Sequence, residues 1–174
     1  MVKRLAHGEI EDGGTKDEES KSPTPLPPAP NRPEASAQRG PLSALVGKRV
    51  VIVEDEGITL LQLRRTLTRA GLNVVATAGN GREGVEAVLR ERPDLVLMDI
   101  KMPLMDGIEA ARRILESYPV CIIMLTAFST VDFQQQAKEV GACGYILKPI
   151  TSTILLPQME AAYRKRLESE GQNL

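Results

Sequence analysis

From about residue 45 the chain alternates between two hydrophobic rhythms. Short runs dominated by apolar and β-branched residues occur at Val50-Val51-Ile52-Val53, Asn73-Val74-Val75-Ala76-Thr77, Leu95-Val96-Leu97-Met98, Cys121-Ile122-Ile123-Met124-Leu125 and Tyr145-Ile146-Leu147. Between them, apolar residues recur every three or four positions. Leu60, Leu61, Leu63 and Leu67 mark 58–70, which stops at Gly71; Val85, Val88 and Leu89 mark a second segment, ending before Pro93. Ile108, Ala111 and Leu115 mark a third, and Phe133, Ala137 and Val140 a fourth, which stops at Gly141. The short runs predict strands buried on both faces, and the spaced positions predict amphipathic helices closed by left-handed glycine caps. Five alternations of strand and helix call for right-handed crossovers and a parallel sheet covered on both faces, an α/β fold.

The segment after Lys148 completes the alternation with a last helix. Pro157 lies in its path, where the ring removes one hydrogen bond and crowds the preceding carbonyl, so a late start or a kink is expected there. Residues 1–44 behave differently. They carry Glu11-Asp12-Gly13-Gly14, Asp17-Glu18-Glu19-Ser20 and the run Pro23-Thr24-Pro25-Leu26-Pro27-Pro28-Ala29-Pro30. So few large apolar side chains cannot offset the entropy of ordering, which predicts a disordered acidic, proline-rich tail. The expected organisation is therefore a tail at 1–44, a folded domain at 45–170 and a frayed end at 171–174. The stretch after Lys148 has room for one helix and no effector domain of ordinary size.

Charge and rare residues remove several function classes. With 22 basic and 23 acidic residues the net charge is −1, which gives no bulk attraction to nucleic acid or to an anionic membrane. The N-terminus lacks the apolar core of a signal peptide and no run is long enough to span a bilayer, so a cytoplasmic protein is expected. His7 is the single histidine and lies in the tail, so no histidine nucleophile, triad or zinc cluster can be assembled. Cys121 and Cys143 fall within apolar strand patterns and read as small buried hydrophobes in a reducing compartment, not as a disulfide or metal pair.

The strand ends carry the chemistry. The first run stops on Glu54-Asp55-Glu56, the third on Asp99, the fourth on Thr126-Ala127 and the fifth on Lys148-Pro149. Open α/β sheets bind ligands beyond the carboxyl ends of their strands, so acids, a hydroxyl and an ammonium can converge on one edge. Such a set suits a divalent cation and a phosphoryl group. Glu56 reads as a solvent-facing acid. Taken singly, Glu54-Asp55 also fits an acidic turn, Thr126 a helix cap and Lys148 a surface lysine.

Taken together, Glu54-Asp55, Asp99 followed by Met102-Pro103 and Asp106-Gly107, Thr126-Ala127 and Lys148-Pro149 resemble, in order and spacing, the receiver domain of bacterial two-component response regulators. The likeness is to the chemotaxis-regulator type and covers roughly residues 47–168. The resemblance implies a flavodoxin-like (βα)5 fold with strand order 2-1-3-4-5. It implies that Asp99 accepts a phosphoryl group from phosphohistidine, and that Asp55, Asp99 and the backbone carbonyl of Lys101 hold Mg²⁺ (or Mn²⁺), with Glu54 acting through a bound water. Lys148 would pair with Asp99 and then with the phosphoryl oxygens, and Thr126 would move its hydroxyl onto them. Tyr145 occupies the aromatic switch position, although a core aromatic fits the same pattern, and Lys101 and Phe128 would tune rates. The implied partners are a sensor histidine kinase or a histidine phosphotransfer protein, and a downstream protein met by the fourth helix, fifth strand and last helix. No direct contact with nucleic acid or membrane is expected.

Two rivals remain at this level. A Mg²⁺-dependent phosphohydrolase working through an aspartyl phosphate would want a second acid two residues past the nucleophile, where Lys101 stands, and a cap insertion. A scaffold forming a homodimer would use Met159, Tyr163 and Leu167 on the last helix; residues 158–168 also resemble the linker preceding RNA-binding antiterminator domains.

Overall fold

The computed structural model describes residues 44–127 and 131–171, leaving aside the side chains of 131–133. Residues 1–43 of the expected tail, Phe128 and residues 172–174 lie outside the described residues. Five strands, β1 (Arg49–Val53), β2 (Asn73–Ala78), β3 (Leu95–Asp99), β4 (Cys121–Thr126) and β5 (Gly144–Leu147), alternate with α1 (Gly57–Arg69), α2 (Gly81–Glu91), α3 (Gly107–Ser117), α4 (Val131–Glu139) and α5 (Ser152–Gly171). The strands form one parallel sheet in the order β2-β1-β3-β4-β5.

Strand alternation divides the core in two. Val50, Ile52, Leu95, Leu97, Ile123, Leu125 and Ile146 face α1 and α5, whose Leu63, Leu67, Leu155 and Met159 cover them. Val51, Val53, Val96, Met98, Ile122 and Met124 face the other way, under Ala87 and Val88 of α2, Ala110, Ala111 and Ile114 of α3, and Ala137 of α4. β3 and β4 are buried at every position, as central strands covered on both faces must be. Leu45, just before β1, is fully buried in the α1–α5 core. Ala44 donates its N–H to Glu160 Oε1 on α5 at 3.2 Å, which ties the start of the domain to its last helix.

Helix ends follow their sequence signals. Asn80 and Asp106 cap α2 and α3 by accepting the N–H groups of Glu83 and Glu109 at 3.0 and 2.8 Å. Gly71 and Gly141, with φ of +86° and +90°, close α1 and α4 as expected.

Four expectations need correction. α5 does not start late: it begins at Ser152 and carries Pro157 inside it, because Leu155 and Met159, 1% and 0% exposed, anchor that turn on the sheet. Packing outweighs the missing Pro157 N–H, which leaves the Thr153 carbonyl without its usual partner. The helix also continues through Gly171. Leu61 on α1 does not join Leu63 and Leu67 in the core; with Ile58 it faces solvent, 56% and 70% exposed. Cys143 lies just before β5 and is only half-buried, its N–H donated to the Ile122 carbonyl at 2.8 Å.

Candidate metal and phosphoryl-transfer centre

The parallel sheet carries the expected residues to one rim. β1 and β3 are neighbours in register, Val53 beside Met98, so Glu54 and Asp55 emerge alongside Asp99. One carboxylate oxygen from each of Glu54, Asp55 and Asp99 lies within 4.8 Å of the others. β4 and β5 bring the remaining pair: Thr126 is buried at the end of β4, and its carbonyl accepts the Lys148 N–H at 2.8 Å.

Lys148 bridges the acids. Its Nζ lies 2.9 Å from Glu54 Oε2 and 3.3 Å from Asp99 Oδ2. Glu54 Oε1 also accepts from this ammonium and from the Glu56 N–H, each at 3.2 Å. Sequence reasoning paired Lys148 with Asp99; the closer partner is Glu54, whose side chain is wholly buried while that of Lys148 keeps 21% exposure. Burial pulls the ammonium toward deprotonation, but the Glu54 hydrogen bond and the charges of Asp99 and Glu54 outweigh it and hold its pKa above the ordinary value.

Asp99 is the perturbed acid. Burial first, and then the Glu54 charge, push its pKa from 3.8 to about 6 against the opposing pull of Lys148. Three carboxylates face one ammonium, so the fully ionised cluster carries two uncompensated negative charges. A divalent cation would remove that excess, and an all-oxygen donor set of this size fits Mg²⁺ or Mn²⁺. The residues therefore fit the metal that the resemblance implies.

The loop after Asp99 explains part of the motif. The Gly107 N–H is donated to the Ile100 carbonyl at 2.8 Å, and a Cβ at Gly107 would run into the Asp99 carbonyl oxygen. Asp106 caps α3, so Asp106-Gly107 starts the helix and lets it press against the backbone of Asp99. Sequence reasoning used this pair only as part of the receiver-like motif. It also passed over Leu104, which is 87% exposed and adopts a left-handed φ of 69°, a strained conformation for a branched side chain. Nothing in its local pattern signals that.

Other expected residues stand apart. Lys101 is exposed on the same loop and Ala127 is exposed beyond Thr126. Tyr145 is 40% exposed, so it is not a core aromatic; it borders a hollow of about 340 Å³ with residues of α4 and α5. Glu56 is exposed as expected, and its carboxylate accepts the Thr59 hydroxyl at 2.6 Å.

A doubly wound parallel sheet with an acidic cluster and a lysine at its carboxyl rim defines a signalling receiver. Residues 50–160 match the response regulator receiver domain, and the chain belongs to that family. It is a regulatory domain of two-component signalling. The transcriptional regulatory protein PdtaR of Mycobacterium tuberculosis is 40% identical over 132 residues, 74% of this chain and 64% of that protein. The chain thus spans just under two thirds of that relative's length. Among solved structures, CheY in a complex with CheX, BeF3 and Mg²⁺ from Borrelia burgdorferi aligns with TM-score 0.65 at 30% identity, covering 68% of this chain and 90% of that one. Chemotaxis protein CheY4 of Vibrio cholerae aligns with TM-score 0.64 at 30% identity, covering 67% and 99%. Some relatives are enzymes by name: the protein-glutamate methylesterase/protein-glutamine glutaminase of Archaeoglobus fulgidus is 38% identical, but this chain covers 30% of its length. Among the described residues no helix is long and apolar enough to cross a membrane.

Proposed function

We propose that this chain is a phosphorylation-controlled switch in which Asp99 accepts a phosphoryl group from a phosphohistidine. The observation that carries the reading is the convergence of Glu54, Asp55 and Asp99 at the carboxyl rim of the sheet, with Lys148 ion-paired to Glu54 and Asp99. A carboxylate oxygen of Asp99 attacks phosphorus in line, the phosphorus–nitrogen bond of the donor breaks, and an acyl phosphate forms. Mg²⁺, held by Asp55, Asp99 and the Lys101 carbonyl with Glu54 behind a water, would supply charge neutralisation. Lys148 turns its ammonium from Glu54 and Asp99 toward the phosphoryl oxygens, where a point charge on a flexible stem can follow the group. Thr126 supplies a hydroxyl to the phosphoryl group. Tyr145, at the surface beside α4, follows it as the aromatic switch. Lys101 and Phe128 adjust water access to the acyl phosphate.

The donor in this reading is a sensor histidine kinase or a histidine phosphotransfer protein in the cytoplasm. The response leaves through α4, β5 and α5 to a protein target, and the name of the transcriptional relative supports an output in gene regulation. Phosphohydrolase activity on external substrates is the poorer reading, because position 101 is an exposed lysine instead of a second acid.

Intact-mass spectrometry after incubation with acetyl phosphate and Mg²⁺ tests the proposal, beside an Asp99→Asn variant and an EDTA control. One hydroxylamine-labile phosphate, absent from both controls, is the expected result. Mg²⁺ binding without an adduct from acetyl phosphate or from a phosphorylated histidine donor would overturn Asp99 as acceptor. Multiple turnover of a phosphomonoester would favour the hydrolase.

A further inference from the structure

The end of the sheet away from the acidic rim holds a second cluster of reactive side chains. Cys121 opens β4, and Cys143 sits just before β5, held to the neighbouring strand by its N–H bond to Ile122. Both pack on the α1–α5 side of the core, where the backbone bond of Cys143 to Ile122 sets it against the residue next to Cys121 on the adjacent strand. They differ in access. Cys121 is 1% exposed, whereas Cys143 is half-buried and borders the 340 Å³ hollow between α4, β5 and α5.

Arg166 of α5 completes the cluster. Its Nη1 donates to the Val120 carbonyl at 3.2 Å, next to Cys121, while Glu170 fixes the guanidinium through Nε at 2.9 Å and Nη2 at 2.7 Å. The positive charge of the same guanidinium acts on Cys143. The charged groups around the thiols are Arg166, which favours thiolate, Glu170, which opposes it while being neutralised by Arg166, and Lys138 and Lys165, which line the same hollow as Cys143. The Cys121 thiol, with Arg166 adding to its effect, lowers the Cys143 pKa, whereas the Cys143 thiol and burial raise that of Cys121. An accessible thiol beside a guanidinium, backed by a sheltered thiol, has the layout of an attacking and a resolving cysteine.

We propose that Cys143 and Cys121 form a peroxide-oxidisable dithiol that closes to an intrachain disulfide between the starts of β4 and β5. The Cys143 thiolate attacks one oxygen of hydrogen peroxide and the O–O bond breaks. Hydroxide leaves and takes up a proton, and Cys143 becomes a sulfenic acid. The Cys121 sulfur then attacks the Cys143 sulfur, the S–O bond breaks, and the departing hydroxide takes the Cys121 proton. Two thiols lose two electrons in all, and one peroxide becomes two waters. The closed loop contains β4 and α4, so oxidation fastens α4 to the sheet without touching the acidic rim. The inference does not depend on Asp99 being a phosphoacceptor.

The full chain, reduced and freed of reductant, would be titrated with hydrogen peroxide and followed by intact mass and non-reducing peptide mapping. The expected result is a loss of 2 Da with one Cys121–Cys143 disulfide. At neutral pH, iodoacetamide should label Cys143 in the folded protein at least tenfold faster than Cys121. Cys121→Ser should stop the 2 Da loss and send Cys143 on to sulfinic acid, a gain of 32 Da. Arg166→Gln should slow the reaction of Cys143 severalfold while leaving the disulfide able to form. Equal labelling of the two thiols, or a disulfide that appears only in urea, would overturn the proposal. The wild-type mapping decides this even where a variant folds poorly.

Discussion

Replacing Asp99 by asparagine should make the metal-free domain more stable at neutral pH, although Asp99 is the centre of the proposed chemistry. Its carboxyl titrates near 6 in the fold against 3.8 as the unperturbed value, because burial and Glu54 disfavour its charge more than Lys148 favours it. A folded-state pKa raised above the unfolded one means stability that is full below about pH 4 and lost as pH rises through about 6. The shift of about two pKa units, with the opposing pull of Lys148 already counted in it, corresponds to about 3 kcal/mol lost by pH 7.5. About half of that loss is reached by pH 5, and at pH 4 it has nearly gone. Urea unfolding in EDTA at pH 4, 5 and 7.5 checks this. Asp99→Asn should exceed wild type by about 1–3 kcal/mol at pH 7.5 and match it at pH 4. Saturating Mg²⁺ should narrow the gap by stabilising wild type more. A variant less stable than wild type at pH 7.5, or an advantage that does not change with pH, would refute the charge argument.

Other perturbations test neighbouring parts of the architecture. Lys148→Ala leaves the buried Glu54 and Asp99 without their ammonium and should cost about 2–3 kcal/mol at pH 7.5, less at pH 5, as read from urea midpoints. Gly107→Ala drives a methyl group into the Asp99 carbonyl; it should lower the thermal midpoint and reduce acetyl phosphate labelling of whatever fraction stays folded. Removing residues 1–43 should leave the urea midpoint unchanged, since Leu45 and the Ala44–Glu160 bond remain, whereas Leu45→Ala in the full chain should cost about 2–4 kcal/mol.

The strands and their common rim were legible because β-branched runs between helical repeats admit few packings, and each reactive side chain closes such a run. The order that sets β1 beside β3 was not readable from alternation and came from the likeness to receivers. What escaped reading depends on tertiary approach. Nothing local says that Lys148 sits nearer Glu54 than Asp99, because that distance is set by how far β5 is displaced from β1 across two intervening strands. Pro157 predicted a late start or a kink by local rule, and burial of Leu155 and Met159 keeps the start at Ser152. Gly107 was visible as a motif residue, but its crowding against Asp99 needs the loop in three dimensions. Cys121 and Cys143, 22 positions apart, read as separate small hydrophobes because parallel pairing joins residues that sequence spacing does not.

β4 begins at a sulfur and ends at an oxygen. Cys121 and Thr126 stand five residues apart on a strand that rises about 3.3 Å per residue, so about 17 Å of strand with only buried apolar side chains lies between them. The two ends offer donors of opposite hardness: carboxylates and a hydroxyl suit small, weakly polarisable cations, whereas thiolates suit zinc or cuprous copper. That distance exceeds any span one ion could bridge. An oxidant acting on the thiols at one end would therefore act well away from the oxygen donors at the other.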